Sequence, residues 1–427
     1  MHIIFFLIIA ASINQNKFIM RRITTLLLFI CLAATTTFGG GYQVGLHSVR
    51  NIGMGLIGTS LTYDASSLFY NPGGASFVNE KFSFSGGMSF LFSRATFQAE
   101  SVNYQTHMNH ELNTPFYFYA AYKPIKDLSV GLAVNTPYGL SMSWPDEWKG
   151  RYLIQNVSFK AITIQPTVSY NIKDIVGIGA GFVISYGNVK LNKAIPLQDA
   201  TGDGTTNIQG STTKFGFNAG VLVHPIKGLN IGIDYRSKID MSVEGADVTF
   251  TVPSSLASEF PANKADVTLP LPANLDFGVS YEFNDKLMVG ASFNYVFWDV
   301  YDSLVFHFQT PTETVPAVQS SPKLYQNRLI IRLGGQYKIN DMFVVRAGGY
   351  YDPTPVPTDY LDPMLPSSNE IGLTCGLSVY PIKGLSIDAA FEYLMGSKRS
   401  DTYLPENFAG TYISTFYIPG IGLTYNF

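Results

Sequence analysis

Apolar and polar side chains alternate along many short stretches of this chain, which is the pattern of a β-strand whose two faces meet different surroundings. In residues 287–297 every odd-numbered position is apolar, whereas the even positions include glycine, serine and asparagine. Residues 230–238 and 386–393 repeat the pattern, with Asp234 and Asp388 among their polar positions. Alternation of this kind predicts an all-β protein whose sheet has one apolar and one polar face.

A short turn rich in Pro, Lys, Asn, Asp and Gly recurs six times between alternating stretches. The copies read YKPIKDL, YNIKDIV, HPIKGLN, EFNDKLM, KINDMFV and YPIKGLS. Each is typical of a tight hairpin, and six hairpins contribute twelve strands. One alternating stretch before the first hairpin and one after the last bring the expected total to fourteen.

The connections between these hairpins are longer and polar, and they cover roughly residues 100–114, 138–156, 192–211, 245–265, 309–322, 352–368 and 399–411. An even strand count, with short turns at one end and long loops at the other, is typical of an outer-membrane barrel. A soluble sandwich shows the same alternation but not this asymmetry. Residues 81–427 are therefore predicted to form a 14-stranded antiparallel transmembrane β-barrel.

The N-terminal residues 1–39 are predicted to comprise an upstream extension and a signal peptide. Two arginines precede an apolar run that ends in small residues, and Thr37 and Gly39 suit the positions before a cleavage site. The mature chain is thus expected to start near Gly40, and Met20 is the expected true start. A membrane anchor is the alternative for the first apolar run, which is short for that role. Export of a barrel predicts the outer membrane of a Gram-negative bacterium.

Composition and missing motifs argue against several classes of function. The chain has 427 residues, 14% of them charged, and a net charge of −3, which gives no reason to expect nucleic acid as a partner. The one close histidine pair, His107 and His110, has no further ligand types at useful spacing, so neither a metal nor another cofactor is predicted. Nucleophile and zinc-protease motifs are missing from the sequence, and we expect no enzyme activity.

The stretch GMGLIG contains Gly53, Gly55 and Gly58 in the spacing of a dinucleotide-binding loop. That interpretation requires a buried strand before the glycines and an acidic residue on a second strand, and the sequence provides neither. Residues 40–80 are rich in glycine and small side chains and do not alternate cleanly. They are predicted to form a hatch that fills the barrel lumen, because glycine lets backbone pack closely against backbone.

The same region resembles the N-terminal hatch of the FadL-type transporters, which move long-chain fatty acids and other hydrophobic compounds across the outer membrane. Asn71 and Pro72 match the hatch motif of that family, and Gly73 stands where alanine is usual. Further similar stretches, in the same order, include NTPYGLSMSW, LPANLDFGVSY and the C-terminal TYNF. The resemblance extends over residues 40–427.

The resemblance implies that substrate is captured among the long loops, binds inside the barrel against the hatch, and leaves sideways through a kink in the third strand. The matching kink residues are Pro137, Tyr138 and Gly139, and a plain strand end before a loop is the alternative. Loop residues that could line a capture groove, or belong to a membrane girdle, are Leu140, Met142, Trp144, Trp148 and Arg151. Inward arginines that could hold a carboxylate, or pair with inward acids, are Arg236, Arg328, Arg332 and Arg346.

Two other functions remain open on the sequence: a general diffusion porin and an outer-membrane lipid-modifying enzyme. A hatch would obstruct a porin, and the known enzymatic barrels have fewer strands. The expected partners are a long-chain fatty acid or another hydrophobic small molecule, outer-membrane lipid and the barrel-assembly machinery. The chain is expected to be a monomer.

Overall fold

The computed structural model describes residues 40–100, 102–197 and 202–427. The predicted extension, signal peptide and Met20 start lie outside the described residues. Among the described residues, no helix is both long and apolar enough to cross a membrane.

Antiparallel β-strands make up most of the described chain. In chain order they are β1 (Phe82–Ser89), β2 (Leu91–Ala99), β3 (Gln105–His107), β4 (Leu112–Asn113), β5 (Phe116–Ile125), β6 (Leu128–Ser143), β7 (Asn156–Ile172), β8 (Val176–Ile195), β9 (Gly204–Ile226), β10 (Leu229–Arg236), β11 (Ile239–Thr251), β12 (Asn263–Leu271), β13 (Asn274–Glu282), β14 (Leu287–Val296), β15 (Ser303–Phe308), β16 (Val318–Pro322), β17 (Arg328–Lys338), β18 (Phe343–Asp352), β19 (Glu370–Ile382), β20 (Leu385–Gly396), β21 (Arg399–Tyr403) and β22 (Phe408–Asn426).

Fourteen of these strands close into a barrel, which confirms the predicted strand number. The order around the wall is β1, β5, β6, β7, β8, β9, β10, β13, β14, β17, β18, β19, β20 and β22. Strand β22 then pairs with β1, from Ser83 opposite Asn426 onward. The seam is completed by the backbone N–H of Phe82, which donates to the carbonyl oxygen of Phe427 at 2.8 Å.

The six predicted tight turns all join neighbouring barrel strands, but the other ends of several strands extend further than expected. Strand β9 has 23 residues and β8 has 20, so much of the expected loop 192–211 is strand. At about 3.3 Å per residue, β9 reaches roughly 75 Å, well beyond a hydrocarbon layer of about 30 Å. Strands β11, β12, β15 and β16 widen this extension, and β11 and β12 take up about half of the expected loop 245–265. In these extended parts of the strands, Thr, Ser and Asn alternate with apolar residues. The sequence resembled a loop because a strand outside the membrane does not need a continuous apolar side that faces lipid.

The two faces of the wall differ as the alternation predicts. On β17 the outward side chain of Leu333 is 56% exposed, and on β10 that of Ile233 is 49% exposed. The inward residues Asp234, Ser280 and Asn294 are at most 3% exposed. An apolar exterior around a polar, filled interior is the arrangement required in a bilayer.

The interior is filled by the chain's own N-terminal segment. Residues 42–78 include two one-turn helices, α1 (Val49–Ile52) and α2 (Ser67–Tyr70), and a 3₁₀ segment (Pro72–Phe77). The side chains of Ile52, Met54 and Ile57 have no exposed surface. We use the name hatch for residues 40–78.

Candidate functional site

A buried ion cluster fixes the hatch to the barrel wall. The guanidinium of Arg50 on α1 donates to both carboxylate oxygens of Asp388 on β20, at 3.2 Å each, and to Asp64 of the hatch at 3.0 Å. Ser386 accepts a further hydrogen bond from Arg50. All the carboxylates are at most 1% exposed and Arg50 is 5% exposed, so each charge depends on its partner.

The motif Asn71-Pro72-Gly73 forms a second contact between the hatch and the barrel wall. The Asn71 side-chain amide donates to the carbonyl oxygen of Thr59 at 2.8 Å and to that of Val221 on β9 at 3.0 Å. Its oxygen accepts from the Gly73 N–H at 3.0 Å and begins the 3₁₀ segment. A Cβ on Gly73 would lie 2.6 Å from the carbonyl oxygen of Gly177. Alanine, the usual residue of the resembling motif, therefore does not fit this wall.

The glycines of GMGLIG make similar close approaches. A Cβ on Gly53 would lie 2.9 Å from the Cα of Gly376, and one on Gly58 would overlap the ring of Tyr70. Gly55 has φ +69° and lies against the backbone of Gly349. At these three positions the absence of a side chain lets the hatch backbone lie close to its neighbours.

Replacing Gly73 by alanine is expected to lower the free energy of unfolding by about 1–3 kcal/mol, because the added methyl group must displace rigid wall backbone. Gly74→Ala is the matched control, since its Cβ would meet no atom closer than 3.5 Å. Denaturant-induced unfolding in detergent micelles, followed by the loss of the heat-modifiable folded band on gels, measures both variants. Equal midpoints for the two would contradict the close contact.

The third barrel strand, β6, is interrupted inside the wall. Its register against β7 pairs Asn135 with Thr163 and Tyr138 with Ala161, so Thr136 and Pro137 both lie opposite the single residue Ile162. This is a β-bulge, which bends a strand and ends its regular pairing. The expectation that the strand could simply end at Pro137 is wrong, because β6 continues to Ser143.

The bulge leaves one edge of β6 without its neighbour. Pairing with β5 reaches only as far as Tyr117 opposite Asn135. Beyond that point the hatch takes the edge: the Val44 N–H donates to the carbonyl oxygen of Pro137 at 2.9 Å, and the Gly139 N–H donates to that of Tyr42 at 3.0 Å.

Hydrogen bonds bound the open region of the wall at both of its ends along β6. Further along β6, the Asn109 N–H donates to the carbonyl oxygen of Ser143 at 2.8 Å, which closes the far side. Between this bond and the last β5–β6 pair, residues 113–116 line a cavity and form no backbone pair with β6, although the Phe116 N–H donates to the Thr136 hydroxyl oxygen at 3.2 Å. We call this interruption the wall gap.

A cavity of about 420 Å³ connects the lumen with the wall gap. Its inner lining includes Leu56 of the hatch, Tyr350 and Leu394, and its outer lining includes Pro115 and Ile162. Ile162 belongs to the outward face of β7, so the cavity reaches the membrane side of the wall. The volume lies within the usual range of small-molecule sites, about 300–1,000 Å³.

A second, smaller cavity of about 60 Å³ lies next to it, and Leu140, Phe159 and Leu365 line both. Apart from Thr212, Lys323, Asp362 and three tyrosines, its lining is apolar or glycine. Burial raises the pKa of Tyr301 and of Tyr325 well above the ordinary value, so both remain neutral. Lys323 forms a buried ion pair with Asp362. The sequence analysis missed this pair, which joins two segments without alternation.

The predicted groove residues divide into two groups. Leu140 and Met142 line the larger cavity. Trp144 and Trp148 line neither cavity, because they stack on each other at 4.6 Å between ring centroids and are each 1% exposed. Arg151 lies apart from the cavities and binds Asp203 at 2.6 Å, a hydrogen bond that raises the pKa of Arg151 and lowers that of Asp203.

Of the four inward arginines, only Arg332 lines a cavity. Arg236 donates to Gln165 at 2.9 Å and to the carbonyl oxygen of Phe69 at 2.7 Å, so it supports the hatch. Arg328 donates to loop carbonyls, including that of Thr354 at 2.6 Å. Arg346 is 5% exposed and bonds to Ser378 on the neighbouring strand.

A closed 14-stranded barrel, filled by its N-terminal segment and with a bulge in its third strand, defines an integral outer-membrane protein of the transport class. A family model described as "Outer membrane protein transport protein (OMPP1/FadL/TodX)" matches residues 30–427. The chain therefore belongs to the OMPP1/FadL/TodX family of outer-membrane transport proteins, which are not enzymes.

Individual relatives are distant in sequence and close in fold. Outer membrane protein P1 of Haemophilus influenzae is 22% identical over 307 residues, and the match covers 64% of this chain and 64% of that protein, slightly less than two thirds of its length. A solved FadL homologue from Pseudomonas aeruginosa superimposes with a TM-score of 0.81 at 19% identity, covering 91% of this chain and 100% of the other. The toluene transporter TodX of Pseudomonas putida gives 0.69 at 16% identity, with 92% and 100% covered.

Proposed function

We propose that this protein carries hydrophobic small molecules from the cell exterior into the outer membrane, through the larger cavity and the wall gap. The supporting observation is the continuity of that cavity, which is lined by the hatch at one end and by the outward residue Ile162 at the other. An apolar molecule gains about 0.8 kcal/mol for each CH₂ that is buried, so it favours such a path over a watery pore.

The pathway has three stages in this proposal. Substrate enters between the long extracellular strands and contacts the apolar residues around Leu140 and Phe159, which line both cavities. It then occupies the larger cavity above Leu56 of the hatch. It leaves between residues 113–116 and the bulged part of β6, where no backbone pairing joins the two and the hydrogen bond from the Phe116 N–H to the Thr136 hydroxyl oxygen has to be broken.

The buried charges around the cavities favour an uncharged substrate, since the other two cations that line the larger cavity, Arg94 and Lys160, lie at exposed positions of β2 and β7. Lys323 is neutralised by Asp362, and Arg332 lies 3.7 Å from Asp276 and also faces Asp352 and Glu392. A carboxylate would compete with these acids for each buried cation, at the cost of leaving an acid unpaired. We therefore infer that uncharged hydrophobic compounds bind better than long-chain fatty acid anions.

Asp362→Asn provides a direct test of this charge argument. Freeing Lys323 from its partner is expected to tighten oleate binding by about tenfold, or about 1.4 kcal/mol, and to leave binding of the uncharged oleyl alcohol unchanged. Equilibrium binding to the purified barrel in detergent measures both ligands. Glu406→Gln, a change in a loop turn outside both cavities, is the control.

Uptake measurements separate the transport proposal from the porin alternative. Cells that lack their own transporter and express this protein should take up radiolabelled oleyl alcohol faster than oleate, with no added leakage of polar solutes. Polar leakage through the folded wild-type protein would favour a diffusion porin. An absence of uptake for both lipophiles, with the folded band present, would overturn the proposed class of substrate.

A further inference from the structure

Three acidic side chains meet close to Gly40, at the inner end of the larger cavity. They are Asp352 at the end of β18, Glu370 at the start of β19 and Glu392 on β20, and all three line the cavity. Glu392 is 1% exposed, and its Oε1 accepts a hydrogen bond from Tyr350. Its Oε2 is buried and has no hydrogen-bond partner among the described residues.

Positive charge is scarce around these acids. The charged neighbours of Glu370 are Asp352 and Glu392, which are both acidic. Arg332 faces Asp352 and Glu392, but it also lies 3.7 Å from a fourth acid, Asp276. One guanidinium among four carboxylates, of which Glu392 is buried and the others are partly buried, leaves an excess of negative charge, which is costly unless a further cation is present.

Gly40 lies directly in this acidic cluster. Its backbone N–H is hydrogen-bonded to Asp352, and its carbonyl oxygen accepts from Ser367. A Cβ on Gly40 would lie 2.7 Å from the carboxylate oxygen Oε2 of Glu370, so this carboxylate and Gly40 are in contact. Gly41 is in close contact with the ring of Trp298, and this fixes the direction in which the segment enters the lumen.

We propose that cleavage of the leader between Gly39 and Gly40 creates an α-ammonium group at Gly40, and that Asp352, Glu370 and Glu392 form a built-in binding site for it. Hydrolysis of the peptide bond adds water, leaving a carboxylate on the released leader and an amino group, protonated at neutral pH, on Gly40. The new ammonium has three N–H donors for the carboxylates and adds the missing positive charge. The signal-peptide cut would thus complete the interior of the barrel.

This site also affects the wall gap. Residues 42–44 pair with the bulged edge of β6, and they follow Gly40 by only two residues. An anchored ammonium would hold this segment in place beside the gap. In the uncut chain Gly40 carries no charge, so it can offer these carboxylates only a single amide N–H.

The first part of the test is the identity of the mature N-terminus. Intact mass and N-terminal sequencing of the protein purified from outer membranes should give Gly40. The second part is the rate at which limiting acetic anhydride labels that α-amine in the folded protein. Only the uncharged amine reacts, and neighbouring carboxylates raise the pKa of an amine. Asp352→Asn combined with Glu370→Gln should therefore speed labelling at pH 7.5 by about tenfold, the effect of one pKa unit.

A second variant leaves all the acids in place. One alanine inserted before Gly40 moves the ammonium by about 3.8 Å, and it should speed labelling to a similar degree. Glu282→Gln is the matched control, because Glu282 is an exposed acid at the C-terminal end of β13. This variant should leave the labelling rate unchanged. The folded, heat-modifiable band verifies each barrel. A mature N-terminus several residues from Gly40, or labelling rates equal in all four proteins, would overturn the proposal.

Discussion

Deleting Pro137 is expected to lower the uptake of a hydrophobic substrate by about tenfold or more, which corresponds to a barrier about 1.4 kcal/mol higher. The deletion leaves one residue opposite Ile162 and so removes the bulge. The register of β6 against β7 then becomes continuous, and β6 is able to extend its pairing with β5 beyond Asn135, in place of its present bonds to residues 42–44. Continuous pairing would close the wall gap, so substrate would have to break strand hydrogen bonds to leave.

Pro137→Ala is the matched control for this deletion. It removes the ring but keeps both bulge residues, so the gap and the uptake should persist. Both proteins should show the folded band and comparable amounts in the outer membrane. If the deletion variant folds and transports within twofold of the wild type, substrate does not leave through this gap.

Replacing Arg50 by alanine is expected to release the hatch from the barrel wall. Asp64 and Asp388 would remain buried without a cation, and breaking a buried pair in this way costs about 3–5 kcal/mol. Protonation or hydration of the two acids would displace α1 from β20. The measurement is single-channel conductance in planar bilayers, where the variant should show large ionic openings that the wild type lacks.

A combined variant distinguishes loss of the ion cluster from loss of the side chain's volume. Arg50→Met with Asp64→Asn and Asp388→Asn keeps the approximate size of the groups but removes all three charges, so it should restore much of the closed state. Persistent closure in Arg50→Ala would show that the remaining contacts, such as those of Asn71, are sufficient to hold the hatch.

The parts of the fold that follow local rules were predictable from the sequence. The period-2 alternation gave the strands, and the Pro, Asn, Asp and Gly turns gave their number, because both signals lie within a few residues. Only one part of the bulge was predictable from the sequence, namely that Pro137 makes β6 irregular at that position. The other part was not, because the edge of β6 at the bulge is occupied by residues 42–44, which lie about ninety positions earlier in the chain.

Features that depend on distant residues were not predictable in the same way. Trp144 and Trp148 resembled groove aromatics, but they stack on each other within the loop core. Lys323 and Asp362 gave no signal, because their pairing joins loops whose conformations depend on the folded extension. The tight fit of Gly53 and Gly73 likewise depends on wall glycines at 376 and 177, which alternation alone does not distinguish from other inward positions.

The central claim is that a hydrophobic molecule travels through the larger cavity and leaves through the wall gap. The most direct measurement is photo-crosslinking of the wild-type protein, in outer-membrane vesicles, with a diazirine-bearing fatty alcohol, followed by mass spectrometry of the labelled peptides. The account predicts labels at Leu140 and Phe159 in the cavity, and at residues 113–116 and Ile162 in the gap. Labels that avoid the gap and appear on the far side of the hatch, at Phe77 or His224, would show passage through the lumen and contradict lateral exit.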